Sequence, residues 1–124
     1  MQNNDFLSEL LNFSYHGFLE DLGFYKYEML IKEQFKNKYG ILHGGIITAF
    51  IDNSFGTTSF FLTGKKAVTL NLMISFLSPG KNGALFSFVK VIKEGKSIIT
   101  LEAKVEDKEK KVIATAMANF FKLP

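Results

Sequence analysis

The sequence predicts an α+β fold: one long buried helix wrapped by a curved antiparallel sheet of about five to six strands. Three observations carry this expectation. Residues 43–62 place apolar side chains on nearly every helical face, and a helix that is apolar all round is buried on all sides. Strand-like alternation fills most of the chain beyond it. The connections between those runs are short, which favours an antiparallel meander. With 124 residues, 47% hydrophobic and 22% charged, residues 1–124 are expected to form a single domain around an ordinary core.

Element by element, residues 5–11 read as a short helix with an acidic start. Residues 18–35 carry Tyr25, Tyr27, Met29 and Ile31 at alternate positions and read as a strand. Residues 37–40 are a turn by composition. The long helix follows, with Ile46, Ile47, Ala49, Phe50, Ile51, Phe55, Phe60 and Phe61 spread around it. Val68, Leu70, Leu72, Ile74 and Phe76 then alternate with Thr69, Asn71, Met73 and Ser75. Ser78-Pro79-Gly80 is the next turn. Strands are expected at residues 85–93 and 99–105, then a charged turn at 108–111 and a closing strand at 112–121. A sheet this size on so short a chain leaves edges and a face to cover, which argues for a dimer.

Composition removes several classes of function. The chain has no cysteine, so it can hold no disulfide, no thiolate nucleophile and no sulfur-based zinc site. With only His16 and His43, no multi-histidine metal site is expected, and His16 reads as a surface or loop residue. All 15 basic residues are lysine and the net charge is +3. Lysine meets phosphates as a point charge, whereas base reading favours arginine, so no nucleic-acid partner is expected. The start, MQNNDF, lacks a basic and then apolar leader pattern. Residues 46–62 are too short and too polar to span a bilayer. A cytoplasmic protein with no membrane partner is expected. The 14 phenylalanines read as core, or as core plus the lining of an apolar pocket.

Residues 37–52, NKYGILHGGIITAFID, carry the chemistry. Gly44 and Gly45 are poor helix formers placed where a helix begins. They expose backbone N–H groups at the positive end of the macrodipole, where a polarised carbonyl or oxyanion is stabilised. The alternative is that they only permit a tight turn. Asp52 stands in an otherwise apolar helix, where a carboxylate is costly unless partnered. That makes it a candidate site residue, the alternative being a solvated stripe shared with Asn53 and Thr57. His43 and Asp52 are about 13 Å apart along the helix axis. One chain therefore cannot aim both ends at the same atom, unless a two-fold dimer brings Gly44 of one chain to Asp52 of the other.

In these motifs the chain resembles the PaaI-type branch of the hotdog thioesterases. The resemblance runs from Asn37 to the C-terminus. It includes N-x-x-G-x-L-H-G-G at residues 37–45, the acid at Asp52, V-T-L-N-L at 68–72, F-L-S-P-G at 76–80, K-E-G-K-S at 93–97, and Ala114 with Ala116 in the last strand. It implies hydrolysis of an acyl-CoA thioester to a carboxylic acid and free CoA. It also implies a homodimer, or a tetramer, with sites across the interface. The Gly44 N–H and the Asn37 side chain would polarise the carbonyl, and His43 would orient Asn37 or the turn. Asp52 of the partner would serve as general base or as nucleophile. Thr69 stands where the family places a small hydroxyl residue, in some relatives Ser, that positions water. Gly45 and Asn53 would touch substrate, and Lys81 and Lys96, with Lys65 and Lys66 as further candidates, would meet the phosphates of CoA. No metal and no separate cofactor is implied, CoA being part of the substrate. Two alternatives remain at this stage: a non-catalytic acyl-CoA-binding regulator on the same fold, and an acyl-carrier-protein thioesterase or dehydratase relative.

Overall fold

Asp5 starts the first helix. Its carboxylate accepts the Ser8 N–H at 2.7 Å, and α1 runs Phe6–Leu11 until Asn12 turns left-handed at φ 49°. The structure, a computed structural model, describes residues 5–81 and 83–124. Most of the chain start on which the lack of a leader is argued, residues 1–4, lies outside them.

The strand expected at residues 18–35 is shorter, Phe24–Leu30, and an unexpected strand precedes it. β1 (Ser14–Leu19) pairs antiparallel with β2 (Phe24–Leu30). His16 lies on β1, and its Nε2 is 2.8 Å from Glu28 on β2. Tyr27 and Met29 are fully buried, as the alternation predicts. A 3-10 turn (Glu33–Phe35) leads to the long helix α2 (Gly44–Thr63). Then follow β3 (Ala67–Phe76), β4 (Ala84–Glu94), β5 (Ile98–Asp107) and β6 (Val112–Lys122).

These strands form one six-stranded sheet in the order β1-β2-β4-β5-β6-β3. The wrapped helix is as expected, but the meander holds only for β4, β5 and β6. β3 does not pair with β4. It crosses the sheet to the far side of β6, so Ser78-Pro79-Gly80 belongs to a crossover and not to a hairpin. Helix α2 packs against both strands that this crossover joins. β3 is thereby left as an edge strand ten residues long, with one row of backbone groups unpaired.

The helix is anchored by apolar and polar contacts. Ile47, Phe50, Ile51 and Phe55 are at or near zero exposure. Under them runs a chain of buried hydroxyls. Ser87 donates to Ser54 Oγ at 2.7 Å, and Ser54 donates to the Phe50 carbonyl at 2.8 Å. Tyr27 donates to Thr58 at 2.7 Å, and Thr58 donates to the Ser54 carbonyl at 2.9 Å. Each hydroxyl of this chain thus has a partner, as low-dielectric surroundings require, whereas Ser59 Oγ, also buried in α2, finds none among the described residues. Burial holds the Tyr27 phenol well above its ordinary pKa. The helix is not buried on every side, because one stripe bearing Asp52, Asn53, Gly56 and Phe60 faces an open cleft.

Alternation in β3 also departs from expectation, for a local reason. Thr69 pairs with Phe120 and Asn71 with Asn119, so Leu70 is an extra residue. A bulge of this kind swaps the faces of everything on one side of it. Leu72 and Ile74 still pack on the core, and Phe76 still faces the helix. Thr69 joins their face, while Leu70 is left half-exposed.

Candidate functional site

Two half-sites lie at opposite ends of one helical stretch. The first is built by the loop before α2. Asn37 N–H donates to the Ile41 carbonyl at 2.8 Å, and Gly40 N–H donates to the Asn37 carbonyl at 3.0 Å. Gly40 sits at φ 75°, a conformation that favours glycine. The Asn37 side-chain oxygen accepts two backbone N–H groups, from Tyr39 at 2.9 Å and Ile41 at 3.1 Å. That fixes the amide and leaves its NH2 as the outward donor. His43 donates its N–H to the Phe35 carbonyl at 3.0 Å, and its own carbonyl receives Ile46 at 3.0 Å. Its side chain is exposed and makes no capping bond. Among the described residues, His43 meets this loop through its backbone.

With no side chain capping the helix, the Gly44 and Gly45 N–H groups have no acceptor among the described residues. Four such groups are orphaned at any helix start. Here two of them sit on glycines with no side chain in the way. A Cβ on Gly44 would lie 3.4 Å from the Phe76 ring. Leu42 N–H donates to the Gly80 carbonyl at 2.9 Å, and a Cβ on Gly80 would stand 3.2 Å from Leu42. The Phe76–Gly80 motif is thus the seat of the Asn37–Gly44 loop. Leu42, Gly44, Phe76, Pro79 and Gly80 line a cleft of about 360 Å³ there.

The second half-site centres on Asp52, about 12 Å further along the helix from Gly44. Thr69 donates to its Oδ1 at 2.8 Å, and Oδ2 has no donor among the described residues. Asp52 is half-buried and partnered, not sealed in the core as its apolar neighbours suggest. The Leu70 bulge is what turns Thr69 toward it. Both line a cleft of about 730 Å³ with Gly56, Phe60, Val68 and Phe120. Asn53 also lines it, although its amide nitrogen donates to Ser8 Oγ at 3.1 Å and so ties α1 to α2.

The lysines separate by end. Lys81 follows Gly80 and is exposed at the Gly44 end. Lys96 is exposed in the β4–β5 turn, whose Ser97 carbonyl receives the Lys122 N–H at 2.8 Å. Lys66, whose carbonyl receives the Leu123 N–H at 2.9 Å, lines the Asp52 cleft at that same end. Lys81 and Lys96 flank β4, which is about 33 Å long. They cannot meet the phosphates of one ligand within one chain.

The phenylalanines divide as well. Phe50 and Phe55 are core. Phe60 lines the cleft, and Phe61 stacks at a tilt on Tyr15, 4.8 Å between centroids. Composition could not separate these roles. Sequence reasoning also passed over Gly56, whose signal was a glycine in a helix interior one turn from an acid.

Residues 39–114 match the profile of the thioesterase superfamily. Mouse acyl-coenzyme A thioesterase 13 is 34% identical over 74 residues, 57% of this chain and 52% of that protein, so the chain spans about half its length. The PaaI protein from the phenylacetic acid degradation operon of E. coli superposes with a TM-score of 0.87 at 22% identity, covering 98% of this chain and 86% of that one. The smu.793 protein of Streptococcus mutans, bound to acetyl CoA, superposes with a TM-score of 0.82 at 26% identity over 99% of this chain and 93% of that one.

Proposed function

Since the chain belongs to the thioesterase superfamily, as a thioester hydrolase with the PaaI-type hotdog fold, we propose that it hydrolyses acyl-CoA to a carboxylic acid and free CoA. The observation that carries this reading is the Asp52–Thr69 pair, 2.8 Å apart in an open cleft. Thr69 holds one carboxylate oxygen and leaves the other for a water molecule. Asp52 takes a proton as the water oxygen bonds to the thioester carbon. The carbonyl electrons move onto oxygen, where the Gly44 N–H and the Asn37 amide stabilise them. The carbon–sulfur bond then breaks and CoA leaves as thiolate, which recovers the proton. Direct attack by Asp52 followed by hydrolysis of the anhydride gives the same products. Neither route calls for a metal or a redox cofactor.

The two half-sites belong together only between chains. β3 is one of the two edges of the sheet, and Met73 on it is 75% exposed. Within one chain Gly44 sits over Phe76, and Asp52 binds Thr69. If two β3 edges pair antiparallel about an axis at Met73, the extra residue at Leu70 sets Thr69 of one chain opposite the partner's Phe76. Gly44 of the partner then comes to Asp52. The same operation brings Lys81 of one chain toward Lys96 and Lys66 of the other, which supports a shared site for the CoA phosphates. No helix among the described residues is long and apolar enough to cross a membrane.

Release of free thiol from acetyl, medium-chain, long-chain and phenylacetyl CoA, for wild type and Asp52→Asn, tests the reading. Turnover that falls at least a hundredfold in the variant is expected. Absence of turnover on every substrate, with CoA binding retained, would replace the enzyme by an acyl-CoA-binding regulator. Equal rates would remove Asp52 from the reaction.

A further inference from the structure

We propose that Gly56 sets acyl-group specificity: its missing side chain keeps the cleft beside Asp52 open to acyl groups longer than acetyl. The inference rests on Asp52 as the reacting carboxylate. Glycine is the least favoured residue in a helix interior after proline, and Gly56 lies well inside α2. Three demands could explain a glycine there, and two fail. Its φ is not positive, unlike that of Gly64 at 67°. Packing does not exclude a side chain either. A Cβ at Gly56 would meet only Phe120, at an ordinary 3.7 Å, whereas one at Gly80 would crowd Leu42 at 3.2 Å. The third demand is space in the cleft. Gly56 is four residues beyond Asp52, on the same face, and both line the same cleft.

What lies past Gly56 is apolar. Phe60, Val68, Phe120 and Leu123 line that end, with Phe60 39% and Val68 45% exposed to it and to solvent. From Asp52 to Phe60 is two helical turns, about 12 Å. A thioester carbon held at Asp52 therefore has a slot for its acyl group running over the Gly56 backbone. The chemical class this fits is a medium-chain or arylacetyl group lying flat against the helix. A methyl at position 56 would narrow the slot, and a Leu side chain would block it.

The test is the chain-length profile of kcat/KM for acetyl, hexanoyl, dodecanoyl and phenylacetyl CoA in wild type, Gly56→Ala and Gly56→Leu, with thermal unfolding of each. The expected result has two parts. Gly56→Ala unfolds at a higher temperature than wild type, because alanine favours the helix. The ratio of kcat/KM for dodecanoyl to acetyl CoA falls at least tenfold in Gly56→Ala and further in Gly56→Leu, mainly through KM. Profiles parallel to wild type in both variants would overturn the assignment. So would a uniform loss on all four substrates with lowered unfolding temperatures, which marks a packing role. A wild type that turns over none of them would overturn the hydrolase reading itself, an outcome distinct from both.

Discussion

Thr69→Val isolates the contribution of the hydroxyl that holds Asp52. Valine keeps the shape of threonine and suits an edge strand, so folding should be little changed at this exposed position. What is lost is one O–H donor to a carboxylate at 2.8 Å. Hydrogen bonds to charged groups are worth about 1.5–3 kcal/mol. At 1.36 kcal/mol per decade of rate, that is roughly tenfold to 150-fold if the bond orients Asp52 in the transition state. Thr69 and Asp52 both reach solvent in the single chain, so the lower end, about tenfold in kcat, is expected. Steady-state thiol release gives kcat and KM separately. The loss should fall on kcat, because the hydroxyl positions the base and does not bind the acyl group. Thr69→Ser retains the oxygen and should recover most of the rate. A Thr69→Val enzyme with unchanged kcat, or a Ser variant as slow as Val, would refute the argument.

The other predictions concern assembly and alkaline stability. Met73→Glu puts like charges beside each other at the proposed two-fold axis. Light scattering should show monomers at concentrations where wild type is dimeric, with thiol release lost in parallel. A monomeric wild type would remove the shared site. For the Tyr27 phenol, burial raises the pKa from its ordinary 10.0, and the Thr58 bond opposes this more weakly. The folded value lies above the unfolded one. Its stabilising contribution is therefore complete below pH 10.0 and is lost as pH rises beyond it. Tyr27→Phe should cost about 1 kcal/mol in urea unfolding near neutrality and show a shallower loss of stability above about pH 10. Identical alkaline slopes would show that Tyr27 does not set them.

Much of the fold was legible because helical and strand periodicities are local. The all-round apolar character of residues 43–62 announces α2, and the alternation of Tyr25, Tyr27 and Met29 announces β2. Strand order is not local. Nothing in the sequence near Ser78 says that the chain crosses the sheet and does not turn back. β1 was missed because Ser14, Tyr15, His16 and Gly17 alternate weakly, and its pairing is imposed by β2. At the candidate site, Asn37, Gly44, Asp52 and Thr69 could be named from motifs. Which of them meet was legible only in part. Helix rise alone separates Gly44 from Asp52. That Thr69 faces Asp52 depends on the extra residue, and strict alternation would have pointed it away. Lys81 and Lys96 were grouped because both fall on turns, and only the topology places them at opposite ends of β4.

The bulge at Leu70 has a consequence for how this strand can vary. Substitution and deletion are different events at that position. Leu70 is half-exposed and stands outside the alternation of its neighbours, so many side chains can replace it. Removing the residue would instead rotate one flank of β3 by half a turn. Either Thr69 would leave Asp52, or Leu72 and Ile74 would leave the core and Phe76 would leave the helix. The residue type at position 70 is free to drift, while the number of residues between Gly64 and Gly80 is not.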